Sequence, residues 1–215
     1  MGKPHTWTFP TASTANIAQS QTSTGTPLVI NGSLLDTAAT MKSVFRVKLD
    51  GIERSVTLTG TGADLSAVTF TVSGVDLYGN VVATGIAGPT GTTTVATTSF
   101  FSTINAIGVS ATLSANVVTA GTGPNGRTNW YQGNNWVPGG LMTLSLAVTT
   151  TGGSVTVQDC QEANPTASTA TIFAHPVLAT VTQAAHSNYA FPPRWVRATA
   201  TSFTGNFGFT IIQGG

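Results

Sequence analysis

The clearest hydrophobic pattern in the chain runs from Ser55 to Gly88. Apolar residues alternate with Thr at positions 56–59, and they alternate with Thr and Ser at positions 68–73. This period of two is typical of a strand with one buried and one exposed face. Turn-forming Gly, Asp and Asn residues separate the two runs and follow the second one, before a third apolar run at 81–86. With no helix between them, the three runs predict consecutive strands of an antiparallel meander.

The rest of the chain repeats these short apolar runs and turn residues, without a sustained helical period. We therefore predict an all-β fold with two small antiparallel domains, each resembling a β-sandwich or jelly roll. Turn clusters and shifts in composition set the expected boundaries. These are an extended N-terminal arm at 1–26, a first sandwich at 27–122, a Gly/Asn/Trp-rich connector at 123–140 and a second sandwich at 141–215.

The predicted arm is polar, and Trp7 and Phe9 are its aromatic residues. Its Ser, Thr, Gln and Ala residues follow neither the strand period nor the helix period. A segment of this kind buries little apolar surface by itself. We interpret residues 1–26 as an extended arm that either lies over the domain or reaches a neighbouring chain, and we predict that it is mobile in the free protein and becomes ordered against a partner.

Composition changes the picture of the surface. Charged residues make up only 7% of the 215 residues, whereas about 25% is usual in soluble domains. A surface covered by Thr, Ser and Gly suits a protein that is packed within an assembly. The net charge of +1 provides no electrostatic basis for binding nucleic acid or an anionic membrane, and we expect neither as a partner. Because Cys160 is the single cysteine, packing or partners must supply the stability that an internal disulfide would give.

Residues that usually carry chemistry are scattered along the chain. The three histidines are far apart, and no Cys and His residues have the spacing of zinc ligands. His175 is the histidine nearest to a group of candidate ligands, Asp159, Cys160 and Glu162. Its position before Pro176 indicates instead a ring that hydrogen-bonds a loop backbone, and Cys160 is expected to be a small buried hydrophobic residue. We predict no catalytic residue, no metal site and no cofactor, and we do not expect an enzyme.

One aromatic group invites a binding interpretation. Trp130, Tyr131 and Trp136 lie among Asn and Gln residues, and rings mixed with amides stack on sugars and hydrogen-bond them. A carbohydrate-binding module is therefore one interpretation. The interpretation that we favour is a connector whose rings fill space between two domains. Together with Trp7 and Phe9, these residues are the candidate contacts for a partner protein or a glycan.

Five segments, taken in order, resemble a family of tailed-bacteriophage virion structural proteins. They are PLVINGSLLD at 27–36, VTLTGTGADLSAVTFTVSGVDLYGN at 56–80, SFFSTINAIGVS at 99–110, TVQDCQEANPTASTATIFAHP at 156–176 and NYAFPPRWVRATATSFTGNFGFTIIQGG at 188–215. The resemblance extends from about Ala15 to the C-terminus, and the order of the motifs is more specific than any single motif. The chain departs from the family at Cys160, where an aliphatic or polar residue is usual, and at Trp195, where Ile or Ala is usual.

The resemblance implies a non-enzymatic virion component that is assembled in the host cytoplasm. We expect a capsid decoration or cement protein that binds the major capsid protein or other virion proteins. A tail or fibre-attachment protein is the alternative within the same family, and the carbohydrate-binding module is the alternative from another class. The uncharged surface and the resemblance together predict a homo-oligomer, with a trimer favoured.

Overall fold

The computed structural model describes residues 4–23, 25, 27–35, 47–49, 51–113, 117–134, 141–148 and 152–214. Within these ranges the protein is all-β, with antiparallel sheets and no helix, as the sequence predicts. The strands in chain order are β1 (His5–Phe9), β2 (Ala18–Gln21), β3 (Val47–Lys48), β4 (Ile52–Gly60), β5 (Thr69–Val75), β6 (Val81–Ala87), β7 (Thr94–Ala96), β8 (Thr103–Val109), β9 (Val118–Thr128), β10 (Tyr131–Gln132), β11 (Met142–Val148), β12 (Ser154–Cys160), β13 (Phe173–Ala174), β14 (Ala185–Tyr189), β15 (Trp195–Thr201) and β16 (Phe207–Gln213).

The chain divides into two compact units that are not consecutive halves of the sequence. Unit 1 combines Met1–Thr11 with Arg127–Gly215, and unit 2 is Ala12–Gly126. Unit 2 is therefore inserted, in sequence, into unit 1. The division falls inside β9, close to the start of the segment 123–140 that the sequence indicates as a connector.

Unit 2 contains a sheet in the order β3-β8-β5-β6 and a second group of strands in which β4 lies between β9 and β7, with β2 on β9. β5 and β6 pair along their full length, as the hydrophobic pattern predicts. The predicted meander is wrong in its first step, because β5 has β8 and not β4 as its other neighbour. β4 is buried on both faces, and such a strand takes its neighbours from wherever both of its sides can be covered.

The core of unit 2 follows the alternation of β5. Phe70 and Val72 are fully buried, whereas Thr69 and Thr71 are exposed, so the prediction of one buried and one exposed face for this strand is confirmed. Side chains from both groups of strands complete this core, which consists of Ile17, Ala18, Leu28, Ile30, Val56, Leu58, Leu65, Phe70, Val72, Phe101, Ile104, Ile107, Leu113, Val118 and Ala120.

Unit 1 contains a sheet in the order β1-β16-β11-β14 and a second group of strands in which β12 lies between β13 and β15, with β10 on β15. β11 and β16 pair without a register shift, and the alternating apolar positions of β11 are buried while the polar positions between them are exposed. The buried residues of β11 and β16 are Met142, Leu144, Leu146, Phe207, Phe209 and Ile211.

The described part of residues 1–26 pairs within the units, which differs from an arm that becomes ordered only against a partner chain. β1 pairs antiparallel with β16 over all five residues from His5 to Phe9. β2 pairs with β9 of unit 2. Trp7 and Phe9 are buried, with only 4% of the Trp7 side chain exposed. Pairing within the chain satisfies the backbone groups that an arm would have offered to a partner.

The glycine-rich segment at 121–126, whose turn-forming residues set the predicted boundary between the first sandwich and the connector, instead continues strand β9. A Cβ on Gly121 would overlap the backbone of Ser13, and a Cβ on Gly123 would overlap the side chain of Ser55. Glycine within a strand often marks such a close approach of a second segment. Glycine is common in turns and also at close approaches within a strand, and composition alone does not distinguish the two.

Arg54 on β4 is buried beside this glycine-rich strand, with 2% of its surface exposed. Its Nε donates a hydrogen bond of 2.9 Å to the carbonyl oxygen of Gly123, and its Nη2 donates to the same oxygen. Burial lowers the pKa of Arg54 from its usual 12.5 to about 10, so the guanidinium stays charged at neutral pH. These two charge-assisted hydrogen bonds stabilise the packing of β9 against β4 within unit 2.

Gly121→Ala should destabilise the protein by about 3 kcal/mol, because the new Cβ meets backbone atoms of Ser13 and Thr14. These atoms can move only if the segment that contains Ser13 separates from β9. Urea unfolding of wild type and variant measures the loss. Gly108→Ala on β8 is the matched control, since its Cβ would lie 3.7 Å from the Thr71 carbonyl oxygen, an ordinary contact. We expect the control to change the free energy of unfolding by about 0.5 kcal/mol or less. Equal effects of the two substitutions would contradict the close packing of β9.

Candidate functional site

Trp7 on β1 is the centre of an aromatic cluster in unit 1. Its ring stacks on Phe209 with a centroid distance of 5.4 Å and an angle of 18° between the ring planes. Tyr131 and His5 meet it edge-on, at 6.1 Å and 4.1 Å. The indole Nε1 donates a hydrogen bond of 2.7 Å to the Oδ1 of Asn129. A buried Trp with a satisfied N–H and rings on several sides is a packing element of the unit.

Phe9, the second aromatic residue of β1, is packed in the same way. It stacks on Phe207 at 4.3 Å with 12° between the ring planes, and Phe203 meets Phe207 edge-on at 5.1 Å. All three side chains are buried. Trp7 and Phe9, which the sequence offers as partner contacts, therefore present no ring face to a partner or glycan in this structure.

Trp130 is also buried, with 7% of its surface exposed. The guanidinium carbon of Arg197 lies 4.3 Å from the centre of its ring, and Arg197 Nε donates a 2.8 Å hydrogen bond to Gln158 Oε1. A cation over a desolvated Trp face contributes about 2 kcal/mol, and it occupies the face that a sugar would use. Tyr131 is half-buried beside Trp7, and Trp136 lies outside the described residues.

The described part of the predicted connector, up to residue 134, is paired with other strands. β10 pairs with β15, and Gly133 N donates to Arg194 O at 2.9 Å. The Asn134 backbone and the Gln213 side chain exchange two hydrogen bonds, of 2.8 and 2.6 Å. Because all these partners belong to unit 1, residues 127–134 are a component of that unit.

A second cluster joins the two groups of strands in unit 1 through Asp159, His175 and Tyr189. The hydroxyl of Tyr189 on β14 donates a 2.8 Å hydrogen bond to Asp159 Oδ1 on β12. The His175 ring meets the Tyr189 ring edge-on at 4.6 Å. Its Nδ1 accepts hydrogen bonds from the backbone N–H groups of Val177 and Leu178, at 3.0 and 3.1 Å. The expectation that His175 hydrogen-bonds a loop backbone is confirmed.

Burial shifts the pKa values of two side chains in this cluster, His175 and Tyr189. Burial lowers the pKa of His175 below 6.5, and a backbone hydrogen bond with Asn188 and the charge of Asp159 oppose this shift. Burial, then the hydrogen bond to Asp159 and its charge, raise the pKa of Tyr189 above its usual value. A neutral imidazole also fits the geometry, since an Nδ1 that accepts two N–H groups carries no proton.

The other residues considered beside His175 do not join it. Cys160 is buried, as the sequence predicts, and it follows Asp159 on β12, so the two side chains point to opposite faces of the strand. Glu162 accepts a 2.6 Å hydrogen bond from the backbone N–H of Thr171. Within the described ranges, no group of three or more His, Cys, Asp or Glu residues is arranged to hold a metal ion. Sequence reasoning missed Tyr189, because its bond to Asp159 connects different sheets and no local pattern records it.

Two further observations bear on function. In the part of the chain that the structure describes, no helix has the length and apolar character needed to cross a membrane. No model of a known protein family matches this chain, and no curated protein matches it either.

Trp130→Ala should cost about 3–5 kcal/mol of unfolding free energy, because it removes a large buried ring and leaves Arg197 without its aromatic neighbour. Gln132→Ala, at an exposed position two residues later, is the control and should change stability by about 0.5 kcal/mol or less. Glycan arrays probed with the wild type should remain blank. Unchanged stability of the Trp130 variant, together with a glycan that only the wild type binds, would show that Trp130 is a sugar contact and not a packing residue.

His175 should make the stability of unit 1 depend on pH. Because its pKa is lower in the folded protein than the usual 6.5, the unfolded chain takes up the proton first as the pH falls. The contribution of neutral His175 to the free energy of unfolding is fully present above about pH 6.5. It decreases as the pH falls towards the pKa that His175 has in the folded protein. Urea unfolding at pH 8, 7, 6 and 5 measures this decrease.

His175→Asn is the matched variant for this test, since its Oδ1 accepts the same backbone N–H groups without titrating in this range. The variant should lose less stability between pH 7 and pH 5 than the wild type does. His5 and His186 are present in both proteins and cancel in the comparison. Identical pH dependence of the two proteins would show that His175 does not titrate differently on unfolding.

Proposed function

We propose that this protein is a non-enzymatic structural component of a bacteriophage virion, a decoration protein that binds the major capsid protein on the head. The ordered resemblance of five segments between residues 27 and 215 to tailed-phage virion proteins carries the proposal. The all-β architecture agrees with that resemblance. A tail or fibre-attachment protein is the alternative that the same resemblance allows.

We further propose that each unit is a small β-sandwich. In unit 2, one apolar cluster takes side chains from both groups of strands, for example Phe70 and Ile107 from one and Val56 and Val118 from the other. In unit 1, the hydrogen bond of Tyr189 to Asp159 connects a strand of one group with a strand of the other. Two sheets that share a core in this way are the defining feature of a sandwich.

The surface supports a role within an assembly. Exposed strand positions carry Thr and Ala where soluble proteins commonly place Lys and Glu, and the surface therefore loses little solvation when it is covered. Unit 1 also exposes large apolar side chains, Phe173, Val177 and Phe191, the last with 85% of its surface exposed. Many small neutral contacts, repeated by the symmetry of a capsid, add up to strong attachment.

Immunogold labelling of virions of the phage that carries this sequence tests the proposal. An antibody raised against the purified protein should label the whole head surface, at many sites in each particle. Antibody pre-absorbed with the protein is the control and should leave the particles bare. Label confined to the tail would favour the tail or fibre-attachment alternative, and unlabelled particles would refute a virion role.

A further inference from the structure

Strand β6 is the last strand in the order β3-β8-β5-β6 of unit 2. It pairs with β5 over all seven residues, and within the described ranges no strand pairs with its other side. An edge of this kind presents unpaired backbone donors and acceptors in a row, and it is a template for a further strand.

The hydrogen bonds around β6 show which backbone groups face outward. Gly88 N donates to Val68 O, and Asp76 N donates to Asn80 O, so the even-numbered positions from 80 to 88 face β5. In an antiparallel pair the direction alternates from residue to residue. The N–H and C=O groups of the four odd positions therefore point away from the sheet, and their side chains are exposed: Val81, Ala83, Gly85 and Ala87.

The sequence of β6 has none of the features that usually protect an edge. VVATGIA contains no charged residue and no Pro, and the pairing with β5 has no bulge. The outward positions carry small side chains apart from Val81, which is 84% exposed. A second backbone can therefore approach this edge closely and without desolvating a charge.

We propose that the β6 edge pairs antiparallel with the β6 edge of a second copy of this chain, which joins two sheets across a two-fold axis at Thr84. In this register Ala83 lies opposite Gly85 of the other copy, and Val81 lies opposite Ala87. Four outward pairs that each exchange two backbone hydrogen bonds give about eight bonds. The Thr84 residues of the two copies face each other, a cross-strand pair that strands favour.

Self-complementarity is the reason for choosing a second copy as the occupant. Every side chain that meets another across this axis is neutral, so the symmetric register contains no like-charge pair. The register centred on Thr84 pairs all four outward positions of β6, and a shifted register would leave at least one of them unpaired. The inference does not depend on the proposed virion role, and it proposes a two-fold pair in place of the trimer that the uncharged surface and the resemblance together favour.

Cysteine cross-linking tests the register. Two variants, Ala83→Cys and Gly85→Cys, are purified separately, mixed and oxidised, and the new cysteines should form a disulfide-linked dimer across the two-fold axis. A mixture of Ala83→Cys with Val81→Cys is the control: those positions are four residues out of register and should cross-link at least tenfold less. The native Cys160 is buried and does not compete. Equal cross-linking in both mixtures, or none in either, would overturn the proposal.

Light scattering with edge variants tests the same contact without cross-links. The wild type should be a dimer at micromolar concentration. Ala83→Pro removes an outward N–H and leaves every bond to β5 in place, and it should weaken dimerisation at least tenfold while the circular dichroism spectrum shows that the variant is still folded. Ala83→Lys should act in the same direction, because it adds a charge to the edge, whereas Ala83→Ser should remain dimeric.

A monomeric wild type would refute a second copy as the occupant of the edge. A dimer that is insensitive to both the Pro and the Lys variants would place the contact elsewhere and refute the proposal equally. Failure of these tests would leave the head-labelling experiment unaffected, so the two proposals can be judged separately.

Discussion

Five residues at the start of the chain pair with five near its end, and this pairing holds together the two separate segments of unit 1. β1 covers the side of β16 that β11 leaves free, while Trp7 and Phe9 stack on Phe209 and Phe207. The pairing encloses unit 2 in sequence between two parts of unit 1. It also buries two aromatic rings, each of which contributes several kcal/mol when fully packed. A chain that lacked β1 would expose a flat, uncharged edge on β16.

Close approach of backbones is the corresponding constraint in unit 2. Glycines at 121 and 123 leave room for the neighbouring segments, and Arg54 uses its buried charge to bind the Gly123 carbonyl oxygen. A buried guanidinium is costly unless several donors are satisfied, and it is therefore specific for the arrangement in which β9 lies beside β4. The glycines and the long cation act here in addition to the apolar contacts of β4 and β9 in the core of unit 2.

Polar groups inside unit 1 are also used for packing. The Trp7 indole binds Asn129, the Tyr189 hydroxyl binds Asp159, and the His175 ring accepts two backbone N–H groups. Each group is oriented towards a partner inside the unit, which stabilises one arrangement of the strands. Among the described residues, the backbone edge of β6 in unit 2 and exposed apolar side chains such as Phe191 in unit 1 face outward. Groups of this kind suit association with another protein.

The sequence by itself determined the all-β class and the buried face of β5, since alternation places Phe70 inside and Thr69 outside. It also predicted the backbone-bonded His175 and the buried Cys160, which depend on local context. Only the tertiary structure decided that β1 belongs to β16, that β4 is separated from β5 and that residues 121–126 continue a strand. The physical reason is that backbone hydrogen bonds are alike for every residue. Local pattern can specify that a segment is a strand, but its neighbour is selected by the packing of all side chains together.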